Sequence, residues 1–97
     1  MELVHCEKDF DNLIKDKTVV DFYATWCGPC KTFGPIFEEV SNENDINFVK
    51  LDVDKNSDIA RRYGVMTIPT IILFENREEV RRHIGFMNKE ELIEFIK

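Results

Sequence analysis

The apolar residues of this chain recur with two spacings, and the spacing switches several times along its length. Continuous or alternating apolar runs at residues 2–5, 18–24 and 46–54 predict three strands. Two stretches between these runs have apolar residues three and four positions apart, which is the spacing of one helix face. They are Phe10, Leu13 and Ile14 in the first stretch and Phe33, Ile36, Phe37 and Val40 in the second. The first part of the chain is therefore predicted to run β-α-β-α-β.

Capping residues mark two further helices. Residues 56–64 open with an Asn/Ser cap and close on Gly64, as a short helix does. Residues 88–97 begin with Asn88 three positions before Glu91, which is the arrangement of a capping box. Both segments are predicted as helices.

A hairpin is predicted between these two helices. Residues 70–74 and 78–84 have strand character and flank Glu75, Asn76 and Arg77. A two-residue turn needs positive φ angles, which Gly adopts far more readily than Arg, so either Arg77 takes a positive φ or the loop is longer. Parallel crossovers early and a hairpin late predict an α/β fold, a mixed sheet with helices on both faces.

Composition restricts the function. A chain of 97 residues predicts a single domain, residues 1–97, and 43% apolar with 33% charged residues is an ordinary globular balance. A net charge of -6 without a basic cluster makes nucleic acid a poor partner. No leader-like N-terminus and no apolar run of about 18 residues is present, so we expect a cytoplasmic protein with no membrane partner.

The stretch TWCGPCK, residues 25–31, carries the candidate chemistry. Two cysteines at this spacing could bind a metal, form a permanent disulfide or exchange electrons. A structural zinc site needs four ligands, and only Cys6, His5 and His83 remain as candidates, none of which forms a second ligand pair. A permanent disulfide across two residues would close too small a loop to restrict the unfolded chain much. The redox interpretation is favoured, and no metal site is expected.

The position of the two cysteines supports redox chemistry. Cys27 lies where a strand ends and a helix begins, so its sulfur would face free backbone N–H groups and the positive end of the helix dipole, which favour thiolate. Cys30, one turn later, could attack a mixed disulfide formed by Cys27. Gly28 leaves space beside the nucleophile and Pro29 suits the first turn. Pro35 lies inside the same helix and is expected to kink it.

The strings WCGPCK, VVDFYATWC and TIPT resemble the thioredoxin family over almost the whole chain. The resemblance implies a mixed five-stranded central sheet flanked by four helices, and disulfide reduction through Cys27 and Cys30. It also implies that Asp21 accepts the proton of Cys30 and that Lys50 neighbours Asp21. The alternatives are an Asp21 that reaches solvent and a Lys50 that is simply solvated. Tyr23 departs from the family, which frequently has tryptophan there.

The same resemblance implies a partner-binding surface beside Cys27. Its members would be Trp26, Thr67, Ile68, Ile84 and Gly85, with a cis bond before Pro69 that leaves the Ile68 backbone free to pair with an extended substrate segment. Trp26 could instead be a core residue. Cys6 is expected to pack as a small hydrophobe.

The implied redox system has no bound cofactor. Electrons would come from NADPH through a flavoprotein thioredoxin reductase and pass to disulfide-containing clients such as peroxiredoxins, ribonucleotide reductase or methionine sulfoxide reductase, with the protein acting as a monomer. Two alternatives stay open. One is a thioredoxin-fold binding or assembly subunit in which the cysteines are incidental, and the other is an oxidase or isomerase with the same cysteine pair.

Overall fold

The computed structural model describes residues 3–6 and 9–97, which form nine helices and strands. In chain order they are β1 (Leu3–His5), α1 (Phe10–Leu13), β2 (Thr18–Tyr23), α2 (Gly28–Ser41), β3 (Asn47–Asp52), α3 (Ser57–Arg62), β4 (Thr70–Glu75), β5 (Glu78–Ile84) and α4 (Lys89–Phe95). The predicted order of elements is confirmed. Glu2, which was included in the first predicted strand, lies outside the described residues.

The strands form one mixed sheet in the order β1-β3-β2-β4-β5. β1, β3 and β2 are parallel, whereas β4 runs antiparallel to β2 and β5 antiparallel to β4. The five-stranded mixed sheet with four helices is therefore as predicted. In the centre of the sheet, Asp21 of β2 lies directly opposite Lys50 of β3.

Alternate residues of the central strands pack on opposite faces of the sheet. Val20 and Phe22 belong to the core under α1 and α3, together with Phe10 and Ile59. The second core lies under α2 and α4, and its buried members include Val19, Phe33, Phe37, Phe48, Ile71 and Leu92. Because both faces are covered, any polar residue on a central strand is enclosed by apolar side chains.

The turn between β4 and β5 contains two residues with positive φ, Asn76 at 53° and Arg77 at 67°. Of the two alternatives for this turn, a positive φ at Arg77 or a longer loop, the first is therefore confirmed. Arg77 is tied down in this conformation, since its amide donates to the Ile14 carbonyl at 3.0 Å and its Nε donates to the Asp11 carbonyl at 3.1 Å.

The helix ends follow the sequence with one exception. The capping box of α4 is present, with the Glu91 amide donating to Asn88 Oδ1 at 2.8 Å and the Asn88 amide to Glu91 Oε1 at 3.0 Å. For α3, Asn56 occupies the predicted N-cap position. The capping hydrogen bond predicted for its side chain is wrong, because that side chain makes no bond to the amides of the first turn. The buried Asn56 Nδ2 donates instead to the Asp52 carbonyl at 3.1 Å.

Helix α2 continues past Pro35 to Ser41, so this proline does not end the helix. Among the described residues, none of the helices is long and apolar enough to cross a membrane.

Candidate active site

Cys27 is the N-cap residue of α2, four residues after the end of β2. Its backbone is extended and its amide donates to the Ala24 carbonyl at 3.3 Å. Its Sγ accepts a hydrogen bond from the amide N–H of Cys30 at 3.3 Å. Pro29 lies in the first turn, where its missing N–H leaves no helix bond unmade. The first turn of α2 thus directs an N–H donor at the sulfur of Cys27.

Cys27 and Cys30 form a disulfide with their Cα atoms 5.2 Å apart, so the structure represents the oxidised form. Both side chains are buried, and Ala24 and Ile68 pack around them. Cys27 Sγ lies 3.8 Å from the carbonyl oxygen of Ile68. The pair therefore lies against the loop that precedes β4.

That loop contains the cis peptide bond between Ile68 and Pro69 that the resemblance implied. The Pro69 carbonyl accepts the amide of Gly85 at 2.8 Å, and Thr70 pairs with Ile84 at the end of the hairpin. Ile68, Ile84 and Gly85 are thereby brought to one end of the sheet, and Ile68 is the one of the three with a recorded contact to Cys27.

The remaining predicted contact residues are open to solvent beside Cys27. Thr67 is exposed and Ile84 is 59% exposed. Trp26 is 68% exposed, so the alternative of a core tryptophan is wrong. Its Nε1 donates to Asp54 Oδ2 at 2.8 Å, and this bond fixes the orientation of the indole.

Two apolar residues next to these positions were missed by the sequence analysis. Met66 is 95% exposed and immediately precedes Thr67, and Phe86 is 43% exposed and follows Gly85. Large apolar side chains in the two loops that hold the predicted contact residues were the available signal, since such exposure often marks an interaction surface.

Asp21 is completely buried, so the alternative of a solvent-facing carboxylate is wrong. Within the described part of the chain, neither of its carboxylate oxygens has a hydrogen-bond partner. Burial raises the pKa of Asp21 to about 7, and the positive charge of Lys50 acts in the opposite direction. A carboxyl with this pKa exchanges its proton near neutral pH, which is a property that a general base needs.

Lys50 lies between Asp21 and the surface. Its Nζ is 3.9 Å from Asp21 Oδ2, and its side chain is 17% exposed, which rules out the simply solvated lysine. The same Nζ lies 4.2 Å from the centroid of the Tyr23 ring. A cleft of about 430 Å³ is lined by Cys30, Lys50 and Tyr23, so the resolving cysteine and the lysine adjoin one space behind the disulfide.

Cys6 is buried in the core beneath α1 and α3, as expected for a small hydrophobe. Burial raises the pKa of its thiol, and the negative charge of Asp58 raises it further. Across residues 3–6 and 9–97, no group of three or more His, Cys, Asp or Glu side chains is arranged to hold a metal ion.

Comparison with known proteins gives one consistent result. A family model described as Thioredoxin matches residues 2–97. The thioredoxin of Mycoplasmoides gallisepticum is 45% identical over 100 aligned positions that cover 100% of both chains. The thioredoxin of Staphylococcus saprophyticus is 46% identical over 89 aligned positions, which cover 90% of this chain and 86% of the Staphylococcus chain. A solved thioredoxin from Halobacterium salinarum superposes with a TM-score of 0.92 at 33% identity, over 98% of this chain and 88% of that one.

The buried carboxyl predicts a pH-dependent stability. The unfolded chain ionises Asp21 near pH ~4 and the folded chain near pH 7, so the contribution of Asp21 to folding stability is most favourable below about 4 and becomes less favourable as the pH rises to about 7. Asp21→Asn cannot ionise and should therefore raise the free energy of unfolding, by about 3 kcal/mol more at pH 8 than at pH 5.

Urea unfolding of the oxidised protein at the two pH values measures this difference. Asp45→Asn, at an exposed position, is the control and should show no comparable pH-dependent gain. A gain from Asp21→Asn that is equal at pH 5 and pH 8 would contradict the assignment of the raised pKa to this carboxyl.

Proposed function

This chain belongs to the thioredoxin family, and we propose that it reduces protein disulfides in the cytoplasm with electrons passed from NADPH by a flavoprotein thioredoxin reductase. Its redox group is the Cys27–Cys30 disulfide, and no bound cofactor is needed. The observation that carries the proposal is the hydrogen bond from the Cys30 amide to Cys27 Sγ at the start of α2. An N–H donor and the helix dipole at this position favour the thiolate, which is the attacking species.

In the first step, the Cys27 thiolate attacks one sulfur of a client disulfide. A bond forms between Cys27 Sγ and that sulfur, the client S–S bond breaks, and the second client sulfur leaves as a thiolate with the electron pair. Gly28 offers no side chain to obstruct the approach, since a Cβ built there would meet nothing within 4 Å. The product is a mixed disulfide between the two proteins.

In the second step, Cys30 gives its proton to the Asp21 carboxylate and the resulting thiolate attacks Cys27 Sγ. The Cys27–Cys30 bond forms, the bond to the client breaks, and the client sulfur leaves with the electron pair. Two electrons have then moved to the client, and the protein is oxidised. The buried carboxyl, which has no hydrogen-bond partner among the described residues and a pKa of about 7, supports this role for Asp21, and the adjacent ammonium of Lys50 stabilises its ionised form.

Clients would bind across the surface formed by Trp26, Thr67, Ile68, Ile84 and Gly85. An extended client segment beside Ile68 can form backbone hydrogen bonds, which recognise chain geometry rather than particular side chains. Such recognition suits a carrier with many clients, among which we propose peroxiredoxins, ribonucleotide reductase and methionine sulfoxide reductase. We propose that the chain acts as a monomeric single domain, residues 1–97.

Cysteine variants test the direction and order of these steps. In an insulin-reduction assay with NADPH and a thioredoxin reductase, Cys27→Ser should be inactive because the nucleophile is absent. Cys30→Ser should show no turnover but should accumulate mixed disulfides through Cys27, seen as a mass increase that dithiothreitol reverses.

The matched control is Cys6→Ala, which removes the thiol that lies in the core away from the disulfide and should retain wild-type turnover. Activity in Cys27→Ser, or full turnover in Cys30→Ser, would refute the two-step exchange. Retained biological function in the double cysteine variant would favour the binding-subunit alternative.

Two exposed apolar residues of β5 test the contact surface. Ile84→Glu should lower kcat/KM for a protein disulfide about tenfold, because it places a charge where a client segment packs. The control Val80→Glu adds the same charge on the same strand, four residues away at a 44% exposed position, and should change kcat/KM less than twofold. Equal losses in both variants would contradict a local contact surface at Ile84.

A further inference from the structure

The ammonium of Lys50 is enclosed by three groups. Asp21 Oδ2 lies 3.9 Å from Nζ, and the Tyr23 ring centroid lies 4.2 Å from it. The third group is Gly34 of α2, where an added Cβ would lie 3.4 Å from the same Nζ. The ammonium therefore lies between a carboxylate and an aromatic face, in space that is left free on the surface of α2 at Gly34.

The Tyr23 ring is placed to oppose the escape of this ammonium into water. Asp21 and Tyr23 are two residues apart on β2 and so project to the same face of the sheet, and Lys50 is directly across from Asp21 on β3. The Lys50 side chain reaches solvent on its cleft side. Attraction between a cation and an aromatic face favours the position beside the ring, which is also the position beside the carboxylate.

Gly34 provides the space that this position requires. A glycine inside a helix costs stability relative to alanine, so its presence in α2 calls for a local reason. The close approach of Lys50 Nζ is such a reason: a methyl group at residue 34 would lie in ordinary contact with the ammonium, and a longer side chain would need the space that the ammonium occupies.

The carboxylate depends on where this ammonium lies. Neither oxygen of Asp21 has a hydrogen-bond partner among the described residues, and the positive charge of Lys50 is what opposes the effect of burial on its pKa. Moving the ammonium away by even a few ångströms would remove that compensation, since the interaction weakens with distance and with added water.

We propose that Tyr23 and Gly34 are positioning residues for Lys50 and that through it they set the pH at which Asp21 accepts the proton of Cys30. The inference rests on the proposed role of Asp21 in the second step. It assigns a task to Tyr23, which packs against the cluster of Ala24, Cys27 and Cys30, and to Gly34 of α2.

Other titratable groups also face Lys50. On the sheet and the loop after it they are His5, Asp52 and Lys55, and on α2 they are Cys30, Lys31 and Glu38. These groups are common to the wild type and to every variant below. Comparison of variants therefore isolates the contributions of Tyr23 and Gly34.

The direct test is the titration of the Asp21 carboxyl by ¹³C NMR in the oxidised protein, in which Cys27 and Cys30 do not ionise. Tyr23→Leu removes the ring and should raise the titration midpoint by about half a unit or more, whereas Tyr23→Phe keeps the ring and should stay near the wild type. Gly34→Leu should raise the midpoint because its side chain would displace the ammonium, whereas Gly34→Ala, whose methyl group would only touch the ammonium, is the matched control and should stay near the wild type.

Repeating these substitutions in a protein without Lys50 shows whether they act on Asp21 through the lysine or through a general change in the structure. In a Lys50→Met background, Tyr23→Leu and Gly34→Leu should no longer move the midpoint. A wild-type midpoint in both Tyr23→Leu and Gly34→Leu, or equal shifts with and without Lys50, would overturn the proposal. Gly34→Leu provides an independent result if Tyr23→Leu fails to fold.

A second readout distinguishes this inference from the proposed function. The pH profile of mixed-disulfide resolution, followed by rapid acid quench, should shift upward in Tyr23→Leu by the same amount as the NMR midpoint. A shifted midpoint with an unchanged rate profile would overturn the link to the second step, and with it the proposed role of Asp21, while leaving the positioning of Lys50 intact.

Discussion

The hydrogen bond from the Cys30 amide to Cys27 Sγ is the interaction on which the chemistry of this protein depends. It exists because β2 ends just before Cys27 and α2 begins just after it, so that an unpaired N–H of the first turn meets the sulfur. The core under α2 and α4 holds this junction in place, because Val19 of β2 and Phe33 and Phe37 of α2 all belong to it. Sulfur reactivity is thus a consequence of how the sheet and helix pack.

The second constraint is the carboxyl of Asp21. Its burial lowers the free energy of unfolding of the protein. A central strand covered on both faces has no place for water, and the described residues supply this carboxyl with one ammonium at 3.9 Å and no hydrogen bond. We expect an apolar residue at position 21 to make a more stable protein. A destabilising group that the proposed reaction uses is the trade between stability and activity that functional sites commonly show.

Local patterns predicted most of the fold. The apolar runs of β2 and β3, the helical spacing in α2 and the capping box of α4 each depend on neighbouring residues alone, and each is confirmed. Contacts that depend on tertiary packing could not be predicted in this way. The Asn56 side chain donates to the Asp52 carbonyl instead of capping α3. The conformation of the turn at Arg77 accompanies hydrogen bonds from Arg77 to Asp11 of α1 and to Ile14, which follows α1.

In the candidate site, too, the features that depend on neighbouring residues could be predicted, whereas the contacts between distant parts of the chain could not. The motif around Cys27 indicated the chemistry, but the approach of Gly34 to Lys50 joins a helix to a strand and leaves no signal in the spacing of residues. Tyr23 was visible only as a departure from the family, without a contact to explain it. Its ring lies over an ammonium that no periodicity places there.

The ionisation of Cys27 in the reduced protein tests the central claim most directly. The rate of alkylation by iodoacetamide, followed by mass spectrometry as a function of pH in the Cys6→Ala background, reports the fraction of thiolate. The account predicts a half-maximal rate well below pH ~8.5, the value at which a free cysteine ionises, because the Cys30 amide and the helix dipole favour the charged sulfur. A midpoint at or above that pH would contradict it.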